Sequence, residues 1–341
     1  MHRRSAWLAV GAAVAVAAAL AGSATARTGT GSAPPTRVIV ITDGGCSSVS
    51  PLRLCEGLRA AMRRTGMSAR VVSPTYRENI GDFLRLIARG GYERVILFSL
   101  YFLPDVGAVM KRHPKVRFTI IDGSSRDVAG RPQNVQGVVF RTSEAAYLAG
   151  WLAGKLEQRR AGPDVVGVVG GVRVPSVRDF AIGFTAGARR AAPGITVLEN
   201  YSNDWLDATK CRAIARRQIA RGAGTVFNVA GRCGLGTLEA ARDAGVWGIG
   251  VDSDQAFLGP HILTSVLKRF EEGFVTILRQ VENRRFSPGR DTILTMSDRA
   301  VGLGKISPKV PRPLLVELES LRRRIVAGEI RVPGAFPRRG A

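Results

Sequence analysis

The amino-acid sequence predicts an α/β fold of two doubly wound lobes, each built on a parallel sheet and joined to the other by a hinge. From residue 37 onward, apolar runs of strand length alternate with helical patterns. Such alternation indicates a parallel sheet that helices cover on both faces. The roughly 300 residues involved exceed what one ordinary open sheet holds, which favours two lobes.

The first round of alternation predicts lobe 1, over residues 37–140. Its expected strands are short runs rich in β-branched residues, and its expected helices carry apolar residues three and four positions apart. The strands are expected at 37–42, 69–73, 94–98, 116–121 and 135–140, and the helices at 52–65, 79–89 and 104–113.

The second round predicts lobe 2, over residues 141–252. It opens with a helix that carries Glu144, Tyr147 and Trp151. The later strands are expected at 165–169, 195–200, 225–230 and 246–251, and the helices at 177–191, 207–221 and 237–244.

The rest of the chain is expected to cross back between the lobes. A strand at 262–266 and a long helix that ends near Asn283 make lobe 1 discontinuous. We therefore expect about 253–285 to complete lobe 1, about 286–333 to complete lobe 2, and 334–341 to form a tail.

The first 26 residues have the form of a secretory signal peptide. Basic residues at 2–4 precede an apolar run over 6–21, and the small residues at 24–26 fit a cleavage site. An uncleaved anchor is the alternative, although the run is shorter than the roughly 20 residues that span a bilayer. Residues 27–36 read as a flexible lead-in. Because no cysteine stands at the cleavage site, we expect an exported protein of the periplasm or cell surface without a lipid anchor.

The formal net charge of +23 raises the possibility of nucleic-acid binding, but its distribution disfavours it. The basic residues are mostly arginines scattered through helical patterns, as in the segment 58–64. The chain has no basic tail, no zinc-finger spacing and no aromatic-rich strand for stacking bases. We therefore expect a solvated basic surface and no nucleic-acid partner.

The four cysteines all lie in the exported part of the chain, where disulfides form. Closeness along the chain favours pairing Cys46 with Cys55 and Cys211 with Cys233. A metal site is the competing interpretation, but the spacings fit no zinc pattern and the three histidines stand apart. No metal or other cofactor is expected.

The stretch from Gly231 to Arg269 contains the main candidate binding residues. Gly231 and Gly234 occupy a strand-to-helix turn, where the backbone approaches ligands closely and helix N–H groups lack internal partners. Asp252 follows a strand, at the edge where open α/β sheets bind ligands. Lys268 follows another apolar run and is either a solvated strand end or a donor to a ligand.

Three acids, Asp43, Asp122 and Asp252, each come directly after an apolar strand. One such acid alone is explained by helix capping or a turn. Three at equivalent strand ends could converge on the hydroxyl groups of a sugar, because a carboxylate offers several acceptor sites.

Aromatic residues could supply stacking surfaces for a flat ring. Trp205 lies in a polar loop and either stacks on a ligand or covers the lobe surface. Tyr101 and Phe102 could form a second wall, with core packing as the alternative. The sequence contains no nucleophile elbow, phosphate loop or zinc-protease motif. We therefore expect a binding protein and not an enzyme.

Several longer motifs together resemble the basic membrane protein family of exported ABC-transporter substrate-binding proteins, which includes bacterial purine-nucleoside receptors. The resemblance runs from about Val38 to Pro333. It rests on VVFR at 138–141, EAAYLAG at 144–150, GLGTLEAARDAGVWGIGVDSDQ at 234–255, LTSVLKR at 263–269 and IVAGEIRVP at 325–333.

This resemblance implies a type I periplasmic-binding-protein fold, in which two lobes close on a nucleoside and a membrane permease receives it. We also expect a monomer. By position, the residues that match the family's binding site are Asp43, Trp205, Gly231, Asp252 and Lys268.

The loop at 43–52 departs from the family pattern, because it is about two residues shorter and lacks a clear match to the residues that read the base. The ligand expected from the resemblance is thus a nucleoside or related ribosyl compound. The alternative is a sensing or regulatory protein that keeps the fold and binds a changed ligand.

Overall fold

Two six-stranded sheets form the framework of the described chain. The computed structural model describes residues 38–42, 53–72, 90–98 and 103–337. In chain order its strands are β1 (Val38–Thr42), β2 (Arg70–Val72), β3 (Arg94–Phe98), β4 (Arg117–Ile121), β5 (Val135–Phe140), β6 (Val165–Gly170), β7 (Thr196–Tyr201), β8 (Thr225–Val229), β9 (Trp247–Asp252), β10 (Ile262–Lys268), β11 (Asp291–Leu294) and β12 (Val301–Leu303).

The helices of the described residues cover these sheets. They are α1 (Leu54–Thr65), α2 (Leu103–Arg112), α3 (Ser143–Glu157), α4 (Pro175–Ala191), α5 (Ala208–Ala220), α6 (Leu235–Asp243), α7 (Phe270–Glu282) and α8 (Arg312–Val326). The α/β fold class predicted from the sequence is confirmed.

Both sheets are parallel except at one edge. The first has the strand order β11-β5-β4-β3-β1-β2, and all of its pairs are parallel. The second has the order β12-β10-β9-β8-β6-β7, and only the β10–β12 pair is antiparallel. Strands such as β1, β3 and β6 are buried along their whole length, as parallel strands covered on both faces require.

The structure differs from the expected completion of the lobes. Strand β10, expected in lobe 1, belongs to the second sheet, whereas α7 packs against α1 of the first lobe. Strand β11, expected in lobe 2, pairs with β5 of the first sheet. These assignments depend on backbone pairing between residues far apart in the chain. An apolar run predicts a strand but does not indicate which other strand it pairs with.

Within residues 103–337 the chain crosses between the sheets three times, and the crossings lie side by side. They occur after β5, after β10 and between β11 and β12. The N–H of Arg141 donates to the carbonyl of Leu294 at 2.7 Å, and the N–H of Arg269 donates to that of Ala300 at 2.8 Å. Backbone hydrogen bonds thus connect the third crossing to each of the other two.

The C-terminal segment that was expected to be a tail is instead held against the first crossing. Buried Arg141 donates from Nη1 to the carbonyl oxygen of Phe336 at 3.1 Å and from Nη2 to that of Val332 at 2.5 Å. Asp179 of α4 accepts from the N–H of Ala335 at 2.7 Å and, through its other oxygen, from the N–H of Ser143. Buried Phe336 also packs with residues of β5 and β11, so the segment contacts both lobes.

Helices α3 and α4 approach so closely that glycine is required between them. A Cβ atom on Gly187 would lie 1.9 Å from the carbonyl oxygen of Tyr147, and one on Gly150 would lie 2.0 Å from that of Phe184. Both distances are far below van der Waals contact with rigid backbone atoms. The EAAYLAG motif therefore has a packing explanation.

We expect Gly187→Ala to lower the free energy of unfolding by about 1–3 kcal/mol, because the added methyl group forces α3 and α4 apart. Urea denaturation measures the change. Gly194→Ala is the matched control, since a Cβ atom at Gly194 meets no atom within 4 Å. Equal stability of the two variants would contradict this explanation of the motif.

Candidate functional site

A buried cluster of three charged residues joins the two sheets at the carboxyl ends of their strands. Asp122 follows β4 of the first sheet, whereas Asp252 and Lys268 end β9 and β10 of the second. The Lys268 Nζ atom lies 2.8 Å from Asp122 Oδ2 and 3.6 Å from Asp252 Oδ1. We name these three residues the interlobe triad. Two of the residues matched by the resemblance are in it, together with Asp122.

Aromatic rings hold the ammonium group of Lys268 in place. Its Nζ atom lies 5.1 Å from the ring centroid of Phe180 and 5.6 Å from that of Phe270, within the range of cation–π attraction. Phe270 in turn makes edge contacts with Phe98 and Phe140 of the first sheet, at 5.3 and 5.4 Å between centroids. Lys268 therefore has a defined position between rings from two helices.

Both aspartates of the triad have an unusual backbone conformation. The φ angles of Asp122 and Asp252 are 64° and 63°, in the left-handed region. Aspartate tolerates this region better than most residues, but the conformation still costs about 1–3 kcal/mol and persists only where the surroundings enforce it. The N–H of Asp122 donates to the carbonyl of Val138 at 2.8 Å, and Gln255 Oε1 accepts from the N–H of Val251. These bonds fix the turns that follow both strands.

The charges of the triad are not balanced, since one ammonium group faces two carboxylates. Burial raises the pKa of Asp122 and of Asp252, and the nearby Lys268 offsets only part of that effect. Burial alone would lower the pKa of Lys268, but the two carboxylates outweigh it and raise this pKa. Asp122 is the closer partner of Lys268, which leaves Asp252 as the less compensated acid.

Asp252 also has an acceptor atom without a hydrogen bond. Its Oδ1 atom is buried and, among the described residues, has no hydrogen-bond partner, because the 3.6 Å contact with Lys268 is an ion pair only. A buried unsatisfied carboxylate oxygen is costly. The Asp252 Oδ1 atom can therefore accept one further hydrogen bond beyond those made by the described residues.

Trp205 and Gly231 come together in a second group, at the carboxyl edge of the second sheet. The Trp205 ring lies against Gly171, because a Cβ atom on Gly171 would be 2.5 Å from Trp205 Cζ3. A Cβ atom on Gly231 would lie 3.6 Å from Cε3 of the same ring. Gly231 has a φ of 57°. The carbonyl of Trp205 accepts from the N–H of Cys233 at 2.9 Å, and Cys233 is disulfide-bonded to Cys211. The indole is partly buried.

Gly234 serves packing at the start of α6, because a Cβ atom there would collide with the side chain of Asn228. Cys55 is disulfide-bonded as well. Asp43, Tyr101, Phe102 and Cys46, also expected at the site or beside it, lie outside the described residues.

Sequence reasoning did not single out Phe180 and Phe270 and gave Asp122 less weight than Asp252. Phe180 and Phe270 belong to amphipathic helical patterns, in which an aromatic residue is explained by the core alone. The position of Asp122 after a strand was the available signal, yet its contact with Lys268 depends on how the two sheets meet.

Within the described part of the chain, no three His, Cys, Asp or Glu side chains are grouped as a metal site would need. A search of the same residues for a helix long and apolar enough to span a membrane finds none.

The two-lobed fold is shared with solved structures of solute-binding proteins of ABC transporters. Among solved structures, one from Aeropyrum pernix K1, described as an ABC-transporter solute-binding protein, superposes with a TM-score of 0.72 at 21% identity and covers 88% of this chain and 94% of that one. Another, from Conexibacter woesei, gives a TM-score of 0.65 at 24% identity over 89% and 100% of the two chains. These likenesses concern the fold.

The sequence narrows this class to a family. The model of the Bmp family, described as ABC transporter substrate-binding protein PnrA-like, matches residues 37–335. Basic membrane protein B of Borrelia garinii subsp. bavariensis is 31% identical over 288 residues, which cover 83% of this chain and 80% of that protein. A CD4+ T-cell-stimulating antigen of Listeria monocytogenes is 28% identical over 73% and 72% of the chains. The chain therefore belongs to the Bmp family of substrate-binding proteins.

We expect Asp252→Asn to become progressively more stable relative to the parent protein as pH rises above 3.8, the ordinary pKa of an aspartate. The pKa of Asp252 is raised on folding from its ordinary value of 3.8. The stability linked to its proton is therefore present at low pH and is lost as pH rises through the folded-state pKa. Asparagine carries no such proton and leaves the Lys268–Asp122 pair intact.

Urea denaturation at several pH values measures this difference. The control is Glu317→Gln, which neutralises an exposed carboxylate of α8. A difference in stability between Asp252→Asn and the parent protein that does not change with pH would mean that Asp252 is not an uncompensated buried acid.

Proposed function

We propose that this protein is an exported receptor that binds a nucleoside or related ribosyl compound between its lobes and delivers it to a membrane permease. The observation that carries the proposal is the interlobe triad, whose buried Asp252 Oδ1 atom has no hydrogen-bond donor among the residues that the structure describes. A ligand hydroxyl group would supply that donor. The family membership supports the transport role.

The chemistry of the triad suits adjacent hydroxyl groups. Two carboxylates offer acceptor oxygens, and one ammonium group can donate to a hydroxyl or ring oxygen. Bonds from a hydroxyl to an ionised carboxylate are about twice as strong as those between neutral groups. A ribose, with vicinal hydroxyls and a ring oxygen, presents both donors and acceptors within a few ångströms.

The charge of the triad favours a ligand without a phosphate group. Lys268 is already paired with Asp122 at 2.8 Å and lies near Asp252, so no surplus positive charge is available there. A phosphate placed beside two carboxylates would be repelled at close range. We therefore favour a nucleoside over a nucleotide.

Trp205 is our candidate for contact with the flat part of the ligand. Its loop is well fixed, because Asp204 accepts hydrogen bonds from the N–H groups of Leu206 and Asp207 and is paired with Lys210 at 2.7 Å. The Cys211–Cys233 disulfide also links the helix after this loop to the turn that contacts the carbonyl of Trp205. A rigid aromatic surface stacks on a planar base with little entropic cost.

Closure of the two lobes would couple binding to recognition by the permease. Lys268 and Asp252 belong to one sheet and Asp122 to the other, so a ligand that bonds to all three favours the closed arrangement. Opening separates the triad and removes those bonds. A ligand stabilises the closed state only to the extent that it binds that state more tightly.

We expect Asp252→Asn to weaken nucleoside binding by about 30- to 100-fold, the factor that corresponds to a lost charge-assisted hydrogen bond. Isothermal titration calorimetry with inosine, adenosine, cytidine, ribose and glucose measures the affinities. Glu317→Gln controls for the change of charge, and its affinities should match those of the parent protein.

Two outcomes would contradict the proposal in different ways. Nucleoside binding that is unchanged in Asp252→Asn would leave the ligand class standing and move the site elsewhere. Failure of every nucleoside to bind the parent protein would reject the ligand class and favour a sensing protein with a changed ligand on the same fold.

A further inference from the structure

A basic groove lies at the edge of the first sheet opposite the interlobe triad. Its volume is about 880 Å³, and the lining residues used below are Lys111, Lys115, Arg117, Arg131, Gln133 and Phe286. Arg117 begins β4, whereas Asp122 follows the end of the same strand. The rise of a strand separates the two regions by roughly 17 Å. The basic groove is thus distinct from the candidate nucleoside site.

Positive charge in the basic groove is not matched by negative charge. Four of its lining residues are lysine or arginine, and no acidic residue of the described chain lines it. Lys111, Lys115 and Arg131 form no ion pair with a described residue, and Arg117 has only a 3.7 Å contact with half-exposed Glu93. Like charges repel one another, so a bound anion would offset the repulsion within this grouping.

A buried arginine next to the basic groove adds to its excess of positive charge. Arg94 is only 1% exposed, and its guanidinium group bonds to the Thr119 hydroxyl and the Arg285 carbonyl, not to a carboxylate. Burial, and next the positive charge of Arg117, lower the pKa of Arg94 to about 10. The Phe286 ring holds the guanidinium carbons of Arg94 and Arg117 at 4.8 and 5.8 Å from its centroid.

The floor of the basic groove is fixed by hydrogen bonds. The Asn134 Nδ2 atom contacts the carbonyl oxygens of Met110, His113 and Val116 at 2.9, 3.0 and 2.9 Å. This single amide ties the end of α2 and the turn after it to the start of β5. The turn that carries Lys115 therefore has a defined position before any ligand arrives, which reduces the entropic cost of binding.

We propose that the basic groove is a second binding site, which takes an anion with two or more phosphoryl groups. The lysine ammonium group is a compact positive charge, and the arginine guanidinium group is a planar donor of paired hydrogen bonds. Both groups bind phosphate oxygens well. The volume is that of a small-molecule site. Such phosphoryl groups occur on soluble polyphosphates and on anionic lipid headgroups. The same lysine and arginine contacts would bind either kind of ligand.

Calorimetric titration of the full chain with inorganic triphosphate at about 0.15 M ionic strength tests the site. We expect binding that the double variant Lys111→Gln/Lys115→Gln weakens by about tenfold or more. Gln133→Glu, which adds a carboxylate to the groove and removes no packing, is expected to weaken binding as well. Both lysines are exposed, so neither change should disturb the fold.

The matched control is Lys305→Gln/Lys309→Gln, which removes the same charge from exposed positions outside the groove. Triphosphate affinity within about twofold of the parent protein is expected for it, because distant charges are screened. Equal losses in the two double variants would overturn the proposal, since they would indicate attraction to the overall positive charge.

Vesicles distinguish the two sources of phosphoryl groups. Binding to cardiolipin vesicles, whose headgroup carries two phosphoryl groups, but not to phosphatidylcholine vesicles, lost in Lys111→Gln/Lys115→Gln, would assign the groove to a lipid headgroup. Triphosphate binding without vesicle binding would assign it to a soluble polyphosphate. Binding of neither would overturn the proposal.

Discussion

The contact between Lys268 and Asp122 is the interaction on which the rest of the site depends. It is a buried ion pair between residues of different sheets, with 2.8 Å between Nζ and Oδ2. Removing one partner of such a pair leaves an uncompensated buried charge, at a cost of about 3–5 kcal/mol. The pair therefore connects the two lobes directly. Asp252, the second acid beside Lys268, has a side-chain oxygen without a hydrogen-bond donor among the described residues. The cluster that connects the lobes is also the one that we propose as the ligand site.

The surroundings of the triad explain how it is maintained. The three crossings between the sheets are joined by backbone hydrogen bonds, and the C-terminal segment is held by Arg141 and Asp179 across the first of them. Both triad aspartates keep left-handed backbone conformations at equivalent strand ends. Strain of this kind persists only where neighbouring structure enforces it. Helix α3, which follows the first crossing, packs closely on α4 in the second lobe.

The positions of most strands and helices could be predicted from local sequence patterns, but the pairing of distant strands could not. Buried parallel strands such as β1 and β8 are continuous apolar runs, so their positions were evident from the sequence. The sheet membership of β10 and β11 was wrong in the prediction, because pairing is decided by distant residues. Lys268 and Asp252 were found from their strand ends and from the family resemblance. The direct contact of Asp122 with Lys268, and the rings of Phe180 and Phe270, arise only when the two lobes come together.

Two regions of different charge lie at the two ends of β4. The Asp122 carboxylate follows the end of this strand, and the basic groove, which includes Arg117, lies at its start. Uncharged hydroxyl ligands suit one end and phosphoryl groups the other. A crystal structure of the protein with inosine tests the proposed contact between Asp252 and the ligand. We predict a ribose hydroxyl within about 2.5–3.0 Å of Asp252 Oδ1. A well-defined inosine bound away from the triad, with that oxygen still lacking a donor, would contradict the claim.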